Sequence, residues 1–345
     1  MKVGFDFYGL SVEVSCAAPE LVEEVRRDFA YFQVPTGGAQ VQVEMRLNAP
    51  PYSELPAIPA SFLTPRNVCY HNGKLSYIDY FGRGLVVFNR QARQCSVYGT
   101  DRELMREIVY LFLLSTVGQH LDQRRLHRVH ALGVSYRGRG ILLLLPSGGG
   151  KSTMALQLLK HPGVLLLGED TPLIDRHGRI LPFPLRLGVR LGQQTGVPPQ
   201  YLSTVQRMEF DPKTLIDIEF FQDRIGKAVE PGAILVGERN LGDVSEINPL
   251  PRRRALRALL KYAVVGLGVY QGMEFVFERG VGEVWGKGGI AASRLYNSMR
   301  LLARAPSYRF ILGRDTTRNF HTLLEFCQGT DQVAQTLESK HASAL

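Results

Sequence analysis

The chain has 345 residues, 45% of them apolar and 21% charged, which excludes a disordered chain by composition and leaves room for two domains. Its formal net charge is +9, so a polyanionic partner is expected: a nucleotide, a nucleic acid, an acidic peptide or an anionic surface.

In chain order, Val3–Phe7 and Ser11–Ser15 alternate around Tyr8-Gly9-Leu10, a hairpin pattern. Leu21–Phe32 reads as a short amphipathic helix, and Gln40–Leu47 alternates again. Prolines at 50, 51, 56, 59 and 65 mark a loop. Leu75–Tyr80, Gly84–Asn89 and Gln94–Tyr98 read as a meander. Thr100–Leu121 carries the strongest helical signal, with Thr100 or Asp101 as its cap. A β-rich N-terminal domain over residues 1–100 is therefore expected, followed by an α/β domain over 101–345. In the second domain Ala131–Tyr136 and Ile141–Leu145 read as strands, Ser152–Leu159 as a helix and Val164–Leu167 as a buried strand. Further on, Leu215–Phe221 and Ala233–Gly237 read as strands, Arg252–Val265 as a helix and Gly280–Gly289 as a loop.

The stretch Leu145-Pro146-Ser147-Gly148-Gly149-Gly150-Lys151-Ser152-Thr153 lies between a strand and a helix. Binding a triphosphate needs several backbone N–H groups turned into one concavity, and glycines allow that shape. The helix that follows adds its N-terminal N–H groups and dipole. Ser147 to Thr153 are thus the expected nucleotide contacts. Lys151 would reach the β/γ-phosphates and Ser152 would ligate Mg2+. The pattern G-x-x-x-x-G-K-[ST] has leucine, Leu145, at its first position here. Glu169 and Asp170 follow the next strand, the first of them 18 residues after Lys151. Adjacent acids beside a P-loop can divide the work between metal and acceptor hydroxyl; a solvated loop start is the alternative. His130 precedes the loop on the incoming strand, where a core histidine is the simpler reading.

The set His130, Ser147-x-Gly149-Gly150-Lys151-Ser152 and Glu169-Asp170 resembles the catalytic domain of HPr kinase/phosphorylase, over roughly Val129–Arg190. Asp170–Arg190, with Leu173-Ile174-Asp175 and Pro182-Phe183-Pro184, looks more like diverged relatives that modify peptides such as lasso peptides. The resemblance implies a P-loop kinase-like fold that uses ATP and Mg2+. It implies metal contacts at Ser152 and Asp170, an acceptor-side base at Glu169 where the family has aspartate, and a functional His130. The family's later magnesium glutamate has Glu209, Asp211, Asp217 and Glu219 as candidates. The N-terminal hundred residues do not resemble that enzyme's regulatory domain.

The implied function is transfer of the ATP γ-phosphoryl group to a hydroxyl, foremost a serine of a peptide or protein, with Glu169, His130 and Lys151 catalytic. A small-molecule hydroxyl kinase and a non-catalytic nucleotide switch are the alternatives. Four scattered cysteines without a CxxC pair argue against a zinc or disulfide framework and suit the cytoplasm. No signal peptide is legible in Met1–Leu10, and the longest apolar stretch, near Ile108–Val117, is too short for a membrane span. No nucleic-acid motif is legible, Trp285, Tyr296 and Tyr308 read as core or loop residues, and a homo-oligomer is left open. The basic residues Arg253, Arg257 and Lys261 share one helical face, which suits solvent or an acidic partner.

Overall fold

A computed structural model describes residues 1–208, 210–264 and 280–342. The protein is mixed α/β, with several sheets. It divides into two compact units, the first including Met1–Leu121 and Leu185–Phe220, the second including Asp122–Pro184 together with residues 221–264 and 285–342.

The first unit holds a nine-stranded mixed sheet. Lys2–Asp6 and Ser11–Cys16 pair as the expected hairpin, closed by Tyr8 (φ 56°) and Gly9 (φ 88°). Asp6 accepts the Gly9 N–H at 2.9 Å, the kind of local bond that lets a turn form. Ser11–Cys16 then pairs in parallel with Val41–Arg46, because helix α1 (Pro19–Asp28) lies between them in sequence and reverses the chain. Along Val41–Arg46 burial alternates strictly, with Val41, Val43 and Met45 inside. Helix α2 (Arg102–Gln123) is capped by Asp101, which accepts the Leu104 N–H at 3.1 Å. Residues from Leu104 to Leu114 bury almost all round its circumference. A small antiparallel sheet of Leu187–Arg190, Lys213–Ile216 and Leu202–Val205 completes the unit. The strand expected over Leu215–Phe221 stops at Ile216, and Ile218–Arg224 is 3-10 helix. Asp217 marks the break: its carboxylate is committed to arginines of this unit, and its carbonyl accepts the Phe220 N–H.

The second unit is built on six strands in the order Val164–Gly168, Leu132–Tyr136, Arg139–Leu144, Glu230–Arg239, Ser307–Leu312, Glu246–Pro249. The middle three after Leu132–Tyr136 run parallel; the other pairs are antiparallel. Ile141 to Leu144 and Ala233 to Leu235 are buried without alternation, as expected of central strands covered on both faces. Helices α3 (Lys151–Leu158), α4 (Arg252–Leu259) and α6 (Thr316–Ala342) belong here, as does α5 (Gly280–Arg304) from residue 285 onward. A core of Val129, Leu142, Leu144, Leu167, Ile234, Leu259 and Leu301 joins sheet and helices.

Two further expectations change. Helix α4 does not run evenly to residue 265; it continues as a π-turn over Leu260–Val264. The glycines of 280–289 are not a loop but the first turns of α5. Glycine in a helix costs roughly 1 kcal/mol relative to alanine, and the buried Arg294, Asn297, Ser298 and Leu301 further along hold the helix by packing instead.

Candidate functional site

The site lies at one end of the six-stranded sheet. Leu132 pairs with Leu143 and Gly133 with Gly168, so the start of one strand and the ends of two others share an edge. His130 precedes the first, the glycine loop follows the second and Glu169-Asp170 follows the third. The antiparallel strand Leu132–Tyr136 separates the loop strand from the acid strand.

Leu145 is fully buried and has no positive φ. A Cβ on Gly237, one strand over, would sit 2.4 Å from Leu145 Cδ2. The leucine in the first position of the phosphate pattern therefore fills space that a missing side chain on the next strand leaves open. The loop turns where Gly149 N–H donates to the Pro146 carbonyl at 3.0 Å. A Cβ on Gly149 would strike that same oxygen at 2.8 Å. Gly148 (φ 72°) and Gly150 (φ 99°) adopt the left-handed conformation, which only glycine takes without cost. Gly150 caps α3, its carbonyl accepting the Met154 N–H. Ser147 and Gly148 form the exposed tip, and Thr153 sits in the first turn of α3.

Lys151 is only 5% exposed. Its ammonium donates to the carbonyls of Leu145 (3.1 Å) and Pro146 (3.3 Å). It also lies 2.9 Å from His130 Nε2 and 3.3 Å from Asp170 Oδ1. An ammonium has only donors, so Nε2 must accept and the imidazole proton belongs on Nδ1. Nδ1 lies 3.2 Å from the same Asp170 oxygen, a close polar contact without good hydrogen-bond alignment. His130 is fixed from behind: its backbone N–H donates to the Tyr262 carbonyl at 3.0 Å, and its ring stacks on Tyr262. Burial pushes the Asp170 carboxyl up, but His130 and the Lys151 charge outweigh it and hold the group below the usual carboxylate range.

Glu169 is oriented differently. Its Oε1 accepts the Ser152 hydroxyl at 2.6 Å. A side chain on Gly168 would press on the Pro172 backbone at 2.9 Å, so the chain turns hard there and consecutive acids diverge. The geometry thus brings Ser152 to Glu169, and Lys151 and His130 to Asp170; it does not pair Ser152 with Asp170. Two hard oxygens at Ser152 and Glu169 suit Mg2+, which keeps several waters and takes its other ligands from phosphates. Among the described residues no group of three or more His, Cys, Asp or Glu is arranged to hold a metal, so a metal here would need that phosphate help.

Arg239 was not legible as a site residue. It ends the strand Glu230–Arg239 and donates to the Gly149 carbonyl at 2.8 Å and the Gly313 carbonyl at 3.1 Å. A Cβ on Gly150 would meet its guanidinium at 2.7 Å. Only its place at the C-terminal end of a strand neighbouring the loop strand could have indicated it. Of the later acids, Asp217 and Glu219 are ion-paired to Arg27 and Arg26 in the first unit. The Asp211 carbonyl, in that same unit, accepts from Arg207. Glu209 and the side chain of Trp285 lie outside the described residues. No helix among the described residues is long and apolar enough to cross a membrane. No model of a known protein family matches the chain, and no curated protein sequence matches it.

Proposed function

We propose that this protein is an ATP- and Mg2+-dependent phosphotransferase of the HPr kinase/phosphorylase type. It would have a P-loop kinase-like fold and act on a hydroxyl, foremost a serine of a peptide or protein. One observation carries the reading: a glycine loop between a buried strand and a helix, with Lys151, His130 and Asp170 in mutual contact on one side and Ser152 against Glu169 on the other.

The loop amides and Lys151 would neutralise the phosphates and stabilise charge on the transferring group. Mg2+, when bound, would supply further charge stabilisation, held by Ser152 and a neighbouring acid. The resemblance assigns that acid as Asp170 and the base as Glu169; the contacts favour the reverse. Glu169 already shares the Ser152 hydroxyl, whereas Asp170 stands with His130. Asp170 is a weak base while Lys151 and His130 hold its charge. When Lys151 turns to the phosphates, that restraint falls and the carboxylate can accept the acceptor's proton.

Calorimetric titration of Mg·ATP should show Lys151→Ala losing most of the affinity. With a panel of serine peptides, Asp170→Asn should lower kcat about a hundred- to ten-thousand-fold with nucleotide affinity kept, and Glu169→Gln should weaken Mg2+-dependent binding. The opposite pattern would restore the family assignment of the two acids. ATP binding by Lys151→Ala equal to wild type would end the P-loop reading. A second reading, a non-catalytic nucleotide switch, draws on Lys151 being satisfied internally by two carbonyls, a histidine and a carboxylate. It predicts binding without turnover on any acceptor.

A further inference from the structure

A second cationic concavity lies in the same unit, formed by residues that the phosphate loop does not use. It encloses about 710 Å³ between the last residues of α2 with the chain just after them, the turn joining Leu173–Ile174 to Ile180–Leu181, and one face of α5. Gly289, Ser293, Tyr296 and Arg300 line it from α5 at spacings of 4, 3 and 4 residues, the repeat of a single helix face. Arg125 and Arg176 line it from the other two segments.

Three arginines therefore line one space, and among the described residues of its wall the only carboxylate is Asp122. That carboxylate is already committed. Buried Arg294 donates to its oxygens at 2.7, 3.0 and 3.1 Å, and His127 Nδ1 lies 2.8 Å away. Among the described residues Arg125 and Arg300 have no acidic partner, and the Arg176 side chain meets only the ring of His177. An arginine cluster without counter-charge is unfavourable unless an anion joins it.

The backbones bearing these arginines are fixed. Asn297, fully buried, donates to the Arg125 carbonyl at 2.8 Å and the Ile174 carbonyl at 3.3 Å, tying both segments to α5. Arg125 is held at φ 58°. Gly178 packs so closely on α5 that a Cβ there would lie 2.9 Å from the Arg300 backbone carbon. Asp175 accepts the N–H groups of His177 and Arg179, both at 2.9 Å, and closes the turn. These bonds tie the backbone frame together, while among the described residues none of the three guanidinium groups has an acidic partner.

Ser293 invites another reading, because its hydroxyl is 2.8 Å from His127 Nε2 and so completes an Asp–His–Ser series. Ser293 lies inside a helix, however, where backbone N–H groups are used up and cannot form an oxyanion hole. The series orients the His127 ring between Asp122 and Ser293, and the charge beside Asp122 is that of Arg294.

We propose that this concavity binds a phosphomonoester dianion, with Arg125, Arg176 and Arg300 as its ligands. Two negative charges and three acceptor oxygens match three guanidinium forks better than a single carboxylate does. The same chemistry can come from a free phosphate ester or from a phosphorylated serine side chain. The site is independent of the P-loop.

The test titrates the full chain carrying Lys151→Ala, which silences the phosphate loop, with inorganic phosphate, free phosphoserine and a phosphoserine peptide. Binding is expected, weakened about tenfold or more by Arg300→Gln and by Arg176→Gln, since each removes a charge-assisted hydrogen bond. Gly289→Leu should block it without touching a charge, because a side chain there points into open space. Peptide bound much more tightly than phosphoserine would identify a phosphorylated chain as the source; the reverse would identify a free ester. Phosphate binding unaffected by the arginine variants, or succinate binding as well as phosphate, would overturn the proposal. Arg300 is exposed, so its variant should fold, which circular dichroism checks.

Discussion

Leu145 stands where the P-loop sequence pattern has glycine, and its side chain has a steric partner one strand away. It packs where Gly237 has no side chain, so the two positions form one steric unit. Gly237→Ala should destabilise the second unit by about 1–3 kcal/mol through overpacking. Adding Leu145→Ala should recover part of that loss, so a double-mutant cycle in urea would show marked non-additivity; simple addition would mean the contact is not shared. At Asp170 the sign of the pH effect follows from its depressed titration. The stability it contributes is present above the unfolded-state value and is lost as pH falls through the lower folded-state value. Urea unfolding as a function of pH should therefore show an acid-side loss that Asp170→Asn reduces. Equal acid sensitivity of the two proteins would assign the loss to other carboxylates.

At the scale of elements, patterns carried by neighbouring residues were legible and long-range pairing was not. The hairpin at Tyr8-Gly9, the Asp101 cap and the loop–helix junction at Lys151 each depend on residues adjacent in sequence. Arg239 joins the loop only because parallel pairing sets its strand beside the strand before the loop, and no local spacing records that. The split of Glu169 from Asp170 depends on the turn at Gly168, which packs on Pro172 and Phe183. The glycines of α5 misled because propensity was outweighed by packing further along the helix. The first unit holds a similar hidden feature. Arg186, 2% exposed along its side chain, contacts Asp28 at 3.2 Å and Asp217 at 2.9 Å. Asp28 also pairs with Arg106 at 2.6 Å, and Asp217 with Arg27 at 2.6 Å. The network joins α1, α2 and the small sheet. Arg186→Met would leave two buried carboxylates short of charge and should cost about 3–5 kcal/mol. Denaturant unfolding that shows less than about 1 kcal/mol would mean that the remaining arginines suffice.

For the whole molecule, two compact units make more than one unfolding transition the expected behaviour. The glycine loop and the acids beside it all belong to the second unit; on the proposed function, this is where nucleotide binds. Mg·ATP should therefore raise the transition of that unit selectively. At a hundredfold excess over Kd the gain is about 2.7 kcal/mol. Calorimetry should show one endotherm moving with nucleotide concentration while the other stays. Two endotherms that shift together would mean that the units unfold as one.

The interleaving of the units has a consequence for how the chain is made. The first unit takes residues up to Leu121 and then Leu185–Phe220, so during synthesis it must wait for a segment that follows the glycine loop. Asp28 and Arg27 emerge early, while their partners Arg186 and Asp217 are 158 and 190 residues later. At ribosomal speeds of about 5–20 residues per second, the nascent sheet spends roughly 10–40 s with an incomplete ion network. Arg106, 78 residues after Asp28, is the first of its counter-ions to be made, and chaperone capture or a translational pause between there and residue 220 would act on this half-built state.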